Sequence, residues 1–507
     1  MRLEYFKNTF VFRCDYHNRL IAKNAGFKWN PNAKVWYTKD LGVATRLREY
    51  ADSNAENIFK QTCLTYTPKP GGLSFDPKGP TPYPFQLSSA QFALERNKSY
   101  LGLEPGLGKT GISALLFYNE KCPGIYICPP FLTRTVEEEL NKWLGFSLIV
   151  GRYSFPMKGT LPDILIIPDS LLTRDNTLQM IYSFQNLTKK KARLIVDEAH
   201  RYKNHKAQRT KVLFDTIVPQ FSKVTFLSGT PMPNRPMELY PVLSNCAPET
   251  IDYMSYFDYG MKYCAGFKSE YAWDFTGASN LLELSDRIVG KFLIRIRKQD
   301  VLKELPPKIE DQVIISDDIP PSIAKLDKKL LEKMSPDKAT LGGEHVATYR
   351  RLLGNAKVDS VIDFVKHILE DTEESILIFA WHTEVIEKLQ HELNVKHVIT
   401  GQTPMKERHE TVAQFQKDKE RIMLGNILAM GTGFTLTKAT RVIFAEFSWV
   451  PGDNDQASDR AHRIGQRDSV LCQYLVYKNS FDRNVLESNL AKKKNIEKLN
   501  RRNECPN

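Results

Sequence analysis

The feature that most restricts the fold of this chain is a rhythm that occurs twice. Between residues 85 and about 310 the runs IYICPP, DILIIP, RLIVDE and KVTFLS alternate with amphipathic segments of helical length. After about residue 354 the pattern returns in SILIFA, KHVIT, RIMLGN, RVIFAE and VLCQYLVY. Runs that are apolar throughout need cover on both faces of their sheet, and helix-length connections make successive strands parallel. The predicted class is α/β, with parallel-sheet lobes at residues 85–249 and 354–490 and helices on both faces of each. Residues 250–353 are rich in aromatics and then in charge, with the turn-like ELPPKIED and DDIPPS, and are expected to be helical insertions and the connection between lobes.

Smaller pieces flank the lobes. In residues 1–66 the apolar runs YFKNTFVFRC and KVWYT flank a helical segment, YHNRLIAKNAGF, which predicts a small α+β module. The prolines and glycines of residues 67–84, TPKPGGLSFDPKGPTPYP, suit an extended linker. Residues 491–507 form a basic tail, either a frayed solvated helix or a DNA contact.

Three elements carry chemistry. The run LEPGLGKT passes directly into ISALLFY, a helix start, with Leu103 where such loops usually have glycine. Gly106 and Gly108 let backbone N–H groups wrap phosphates, Lys109 offers a charge to the β/γ oxygens, and Thr110 is a candidate ligand for Mg²⁺. The second element, RLIVDEAH, sets acidic residues at the end of an apolar run, where a doubly wound sheet presents ligands. Asp197 is the other candidate Mg²⁺ ligand and Glu198 is placed to orient or deprotonate a water. A further strand ends in SGTP, residues 228–231. The third element, QASDRAHRIGQ in the second lobe, spaces Gln456, Arg460 and Arg463 so as to project from one helical face. Arginines supplied from a second lobe to a transferring phosphoryl group make lobe closure a condition of hydrolysis.

Charge points to the partner. A formal net charge of +12 over 507 residues favours a polyanion, because phosphates neutralised by Lys or Arg release condensed counterions. No stretch approaches a membrane span, and MRLEYFKNTF lacks the basic-then-apolar order of a secretion signal, so the chain is expected to remain where it is made. Its eight cysteines are scattered, with no CxxC pair, and are read as reduced thiols, Cys128 as a small buried hydrophobe.

Taken in order, PFQ (84–86), EPGLGKT, ICPPFLTRTVEEELNKW, DEAHRYKN, LSGTPMPNRPMELYPVL, SILIFAWHTEVIEKL, GTGFTLTKA and QASDRAHRIGQ resemble the motifs of the Swi/Snf family of DNA translocases, over roughly residues 84–485. DEAHRYKN and DRAHRIGQ set that family apart from strand-separating DEAD-box RNA helicases. The resemblance implies two RecA-like lobes with family insertions, ATP and Mg²⁺ as cofactors, and DNA-stimulated ATP hydrolysis driving movement on duplex, forked or branched DNA. It further implies that Gln86 contacts adenine, that His200, Ser228, Gly229 and Thr230 link hydrolysis to DNA, and that Gly433 and Thr435 lie in a motif touching the phosphate backbone.

Within that family, YCAGFKSEYAWDFTGASNLLEL, FLIRIRKQDVLKELPPK and the N-terminal AGFKWNPNAKVWYT are similar to annealing helicases of the HARP type, which remodel stalled forks and rewind DNA. The short single module reads as a compact bacterial or viral version, cytoplasmic in such a cell and nuclear in a eukaryote, with single-strand-binding or replication proteins as candidate partners. In the module, Lys23, Lys28, Lys34 and Lys39 surround Phe27, Trp29, Trp36 and Tyr37. The lysines are the expected DNA contacts. The tryptophans are expected in the core, with base stacking as the alternative. The rival functions are a conventional strand-separating helicase and an ATP-switched remodeller that displaces DNA-bound protein.

Overall fold

The computed structural model describes residues 1–55, 72–153, 162–324, 328 and 344–500, apart from scattered positions within those spans. The N-terminal module is an antiparallel sheet of β1 (Arg2–Phe6), β2 (Thr9–Arg13), β3 (Lys28–Asn30) and β4 (Val35–Thr38), in the order β1-β2-β4-β3. Its core gathers Leu3, Phe10, Phe12, Ala22 and Phe27, with Trp36 half-buried against them. The core placement expected of Trp29 is corrected: it is 48% exposed on β3, directly across from Trp36, their rings 5.4 Å apart. Phe27, two residues earlier, lies in the core instead. Phe12→Ala should therefore remove hydrogen-exchange protection from the β1–β2 amides, since emptying a core phenylalanine site costs about 3–5 kcal/mol. Trp29→Ala should leave those amides protected; equal loss in both variants would contradict the exposed placement.

Each large lobe is a wholly parallel sheet. The first contains β5 (Lys98–Leu103), β6 (Gly124–Cys128), β7 (Val150–Arg152), β8 (Ile164–Pro168), β9 (Arg193–Val196) and β10 (Lys223–Ser228). After a short hairpin of β11 (Phe267–Lys268) and β12 (Trp273–Asp274), β13 (Leu293–Ile296) completes the order β13-β5-β10-β9-β6-β8-β7. The second lobe contains β14 (Lys308–Ser316), β15 (Ile376–Ala380), β16 (His397–Ile399), β17 (Ile422–Asn426), β18 (Arg441–Phe444) and β19 (Val470–Tyr477), ordered β14-β19-β18-β15-β17-β16. Every residue of β6, β9 and β15 is buried, as their unbroken apolar character requires.

Residues 250–353 are not an insertion standing apart from the lobes. β13 extends the first sheet beside β5, and β14 is the edge strand of the second beside β19. The helices Tyr256–Tyr263 and Leu281–Ile288 bury Tyr259, Tyr263, Leu284 and Ile288 in the first lobe's core. The cationic residues of FLIRIRKQD masked a strand because Arg295 is buried at the sheet's end rather than solvated. Two other boundaries also differ from expectation. The described part of the linker has no regular structure before Pro84, which opens the helix Pro84–Leu94, and it lies on the first lobe: Leu73 and Phe75 pack on its core and the Asn119 amide pairs with both backbone groups of Ser74. The helix Phe481–Asn500 continues through the expected start of the tail, and Lys493 is ion-paired with Glu310 and Asp455 rather than fraying into solvent. Residues 501–507 lie outside the described residues. Cys128 is fully buried, and the described cysteines are free thiols.

Candidate active site at the lobe interface

β5 delivers the chain into the loop at residues 104–108, and the helix Lys109–Glu120 leaves from it. Gly106 and Gly108 sit at φ +93° and +73°, a left-handed backbone that glycine adopts without the penalty of a Cβ. Space imposes a second constraint, since a Cβ at Gly108 would come 2.3 Å from Gln86 Nε2. Gln86 is buried behind the loop, its Nε2 donating to the Leu107 carbonyl at 3.2 Å and its Oε1 accepting from Tyr83 N–H at 2.9 Å. Lys109 stands at the loop's mouth, near Gly229 of the SGTP turn, where a Cβ would lie 3.6 Å from its Nζ.

The acidic pair at the end of β9 is held by its surroundings. Asp197 Oδ1 accepts from Glu198 N–H at 2.8 Å and Oδ2 from the Tyr126 hydroxyl at 3.0 Å. Tyr126 also interacts with the Thr110 hydroxyl, so one buried phenol brings both candidate Mg²⁺ ligands together. Burial pushes the Asp197 carboxyl up, and the neighbouring charge of Glu198 pushes it further. Burial acts the same way on Glu198, but Lys109 and His200 more than offset it and keep that carboxylate ionised. Hard oxygen donors on a buried acid and a helix-start hydroxyl suit Mg²⁺.

Glu198 has φ +49°, a strained conformation for a residue with a side chain. Its carboxylate lies 3.3 Å from His200 Nδ1, which lies 2.9 Å from Ser228 Oγ, and Ser228 Oγ accepts from Thr230 N–H at 3.0 Å. Three of the four expected linking residues, His200, Ser228 and Thr230, thus form a polar path from Glu198 into the SGTP turn, and Gly229 lies within that turn with its carbonyl held by Arg295. That turn meets the second lobe, since a Cβ on Gly452 would come 3.6 Å from the Thr230 side chain.

The second lobe brings its arginines to the same place, though not from one helical face as expected. The helix that carries Gln456 ends at Ser458, and Arg460 and Arg463 lie in the turns beyond it, where Asp459 is drawn aside by lysines. Arg460 donates to the carbonyls of Gly431, Gln456 and Phe434. Gln456 therefore meets Arg460 through its backbone. Arg463 Nη1 donates to Thr435 Oγ1 at 2.9 Å and to the Phe434 carbonyl at 3.1 Å. Its Nε is buried without a hydrogen-bond partner, and a Cβ on Gly106 would lie 3.0 Å from its Cγ. Among the described residues neither arginine has a carboxylate within ion-pair distance. A guanidinium with no carboxylate partner and one buried, unpartnered N–H beside a glycine-rich loop is the arrangement a phosphate group completes.

Family models match both lobes: a SNF2-related domain over residues 85–317 and a helicase conserved C-terminal domain over residues 356–465. This chain belongs to the SNF2 family. The mouse DNA annealing helicase and endonuclease ZRANB3 is 32% identical to this SNF2 chain over 427 residues, 79% of the chain and 39% of the relative. A Caenorhabditis elegans homologue of SWI/SNF-related matrix-associated actin-dependent regulator of chromatin subfamily A-like protein 1 is 33% identical over 79% of the chain and 59% of the relative. The SNF2 chain thus spans less than two thirds of each of these relatives' lengths. A solved Sulfolobus solfataricus SWI2/SNF2 ATPase core in complex with dsDNA is 21% identical, covering 84% of this chain and 96% of that one at a TM-score of 0.40.

The DNA contacts expected of the SNF2 chain fall on two separate elements. Lys23, Lys28 and Lys34 are exposed on the N-terminal module, and Lys39 lies outside the described residues. Gly433 faces the first lobe, where a Cβ would lie 3.4 Å from Leu132, and exposed Thr435 is tied to Arg463. Reading the sequence missed Tyr126, hidden in an apolar run, and the ionic residues Arg295, Lys298 and Asp459. Only Asp459 carried a local signal, its place directly before Arg460.

Proposed function

We propose that this chain is a DNA-stimulated ATPase that translocates on duplex DNA and remodels forked or branched DNA by fork reversal and strand rewinding. The observation that carries this reading is the unpartnered Arg463 Nε against Gly106: a cationic side chain of the second lobe lies directly on the glycine loop of the first. In this reading the loop N–H groups and Lys109 bind the ATP phosphates, with Gln86 as the adenine contact. Thr110 and Asp197 hold Mg²⁺, which when bound neutralises charge on the phosphate oxygens. Glu198 takes the proton from the attacking water, and Arg463 stabilises charge on the transferring group, assisted by Arg460 and Gln456. The path through His200, Ser228, Gly229 and Thr230 carries the state of that site to the lobe interface. Gly433 and Thr435 contact the DNA backbone on the arginine side. Among the described helices none is long and apolar enough to cross a membrane.

The strand-rewinding part of the proposal draws on the mouse relative's name, an annealing helicase, and the branched-DNA part on the basic module, which has eleven Lys and Arg against six Asp and Glu in residues 1–60. A second DNA-binding surface tethered to a motor favours substrates that offer two DNA elements at once. ATPase rates on single-stranded, duplex, forked and four-way DNA, with annealing and strand displacement followed in parallel, test it. Rates should be highest on forked or four-way DNA, with annealing exceeding displacement. Deleting residues 1–66 should lower the fork-to-duplex ratio of rates and make fork binding less salt-sensitive. Displacement without annealing would favour a conventional helicase, and an unchanged ratio would move branch recognition into the lobes.

A further inference from the structure

Behind the nucleotide loop the lobes enclose a cavity of about 540 Å³ whose wall includes Glu104, Arg295, Lys298, Lys308, Asp455 and Asp459. Its charges are paired rather than open to a ligand. Asp459, 5% exposed, is gripped by Lys298 Nζ at 3.1 Å and by Lys308 Nζ at 3.0 Å. Lys298, itself 3% exposed, follows the last strand of the first lobe, and Lys308 opens the first strand of the second. The connector therefore holds one carboxylate from both lobes.

The same connector holds the rest of the arginine turn. Lys298 Nζ donates to the His462 carbonyl, His462 Nε2 lies 2.7 Å from the Pro306 carbonyl, and Lys308 Nζ donates to Ser458 Oγ at 3.2 Å. Its other end reaches the nucleotide loop, since the Lys298 N–H donates to Glu104 Oε2 at 2.8 Å and the Glu104 N–H to the Ile296 carbonyl at 3.1 Å. Glu104 lies two residues before Gly106. Arg295 adds a tie from the same strand to the Gly229 carbonyl at 2.6 Å.

We infer that Asp459, clamped by Lys298 and Lys308, is a positioning residue that sets Arg463 against the nucleotide loop, with Lys298 as the mechanical link between that loop and the arginine turn. The physical reason is that buried charges tolerate few arrangements. An ammonium removed from water must keep its carboxylate and carbonyl partners, so the turn keeps one distance from the strand that holds Glu104 only while the lobes are closed. The inference rests on the proposed ATPase reading and goes beyond it by naming what holds the arginine in place.

The test is a mutant cycle on the full chain, measuring DNA-stimulated ATPase and binding of a fluorescent ATP analogue. Asp459→Asn and Lys298→Met should each lower kcat by about 10²-fold, the loss expected when a reacting group is misplaced by about 1 Å, with KM for ATP changed less than twofold. Either substitution made in an Arg463→Ala background should cost nothing further. Should Asp459→Asn not accumulate as folded protein, Lys298→Met, which leaves the Lys308 pair in place, carries the same cycle. Losses that add to that of Arg463→Ala, or that fall on KM, would overturn the positioning role. Absence of ATP hydrolysis in the unsubstituted chain would instead remove the proposed function.

Discussion

Glu198→Gln should bind ATP with near-normal affinity and hydrolyse it about 10²–10⁴-fold more slowly at saturating DNA, the contribution typical of a positioned general base. Two features make the effect large. The carboxylate is kept ionised by Lys109 and His200 despite its burial, and the left-handed backbone at φ +49° fixes where it points. Glutamine preserves the shape and the tie to His200 but takes no proton from water. Lys109→Ala should also abolish hydrolysis, but by removing the charge on the phosphates, so its deficit should include weakened nucleotide binding. Single-turnover hydrolysis alongside equilibrium nucleotide binding separates the two. Wild-type turnover in Glu198→Gln would show that the catalytic assignment is wrong.

Arg463→Ala should reduce DNA-stimulated turnover by about 10³-fold or more while leaving ATP affinity nearly intact, the range typical of arginine fingers. The structure separates this residue from Arg460. All the hydrogen bonds described for the Arg460 side chain go to carbonyls of its own lobe, so Arg460→Ala should lower the melting temperature as well as the rate. Arg463 keeps its Nε unpaired beside Gly106 and is tied to Thr435, in the proposed DNA-contacting segment. DNA bound at that segment bears directly on the arginine, so the loss should fall on the stimulated rate far more than on the DNA-free rate. Arg463→Lys should restore little, because an ammonium cannot reproduce the planar fork of donors. Equal losses in both rates would argue against DNA acting through this residue.

Much of this protein was legible from contiguous residues, because the signals are local. A phosphate loop needs glycines, a lysine and a hydroxyl in consecutive positions, and a buried parallel strand needs an unbroken apolar run. LEPGLGKT, RLIVDEAH and the strands β6, β8, β9, β10 and β15–β19 announced themselves in that way. β5, β13 and β14 did not, because Lys98 and Ser99, Arg295, and Lys308, Glu310, Asp311 and Gln312 interrupt their apolar patterns; Ser99, for one, is satisfied by Thr225, which is far away in sequence. Trp29 lies outside the core while Phe27, two residues away, lies in it, a difference that composition does not reveal. The sequence by itself determined two parallel lobes, the nucleotide loop and the acidic pair, each specified by neighbours along the chain. Only the tertiary structure decided that Arg463 lies against Gly106, that Tyr126 brings Thr110 and Asp197 together, and that Lys298 and Lys308 grip Asp459. These are contacts between residues distant in sequence. Their energies depend on burial that exists only once both sheets have formed and the lobes have met.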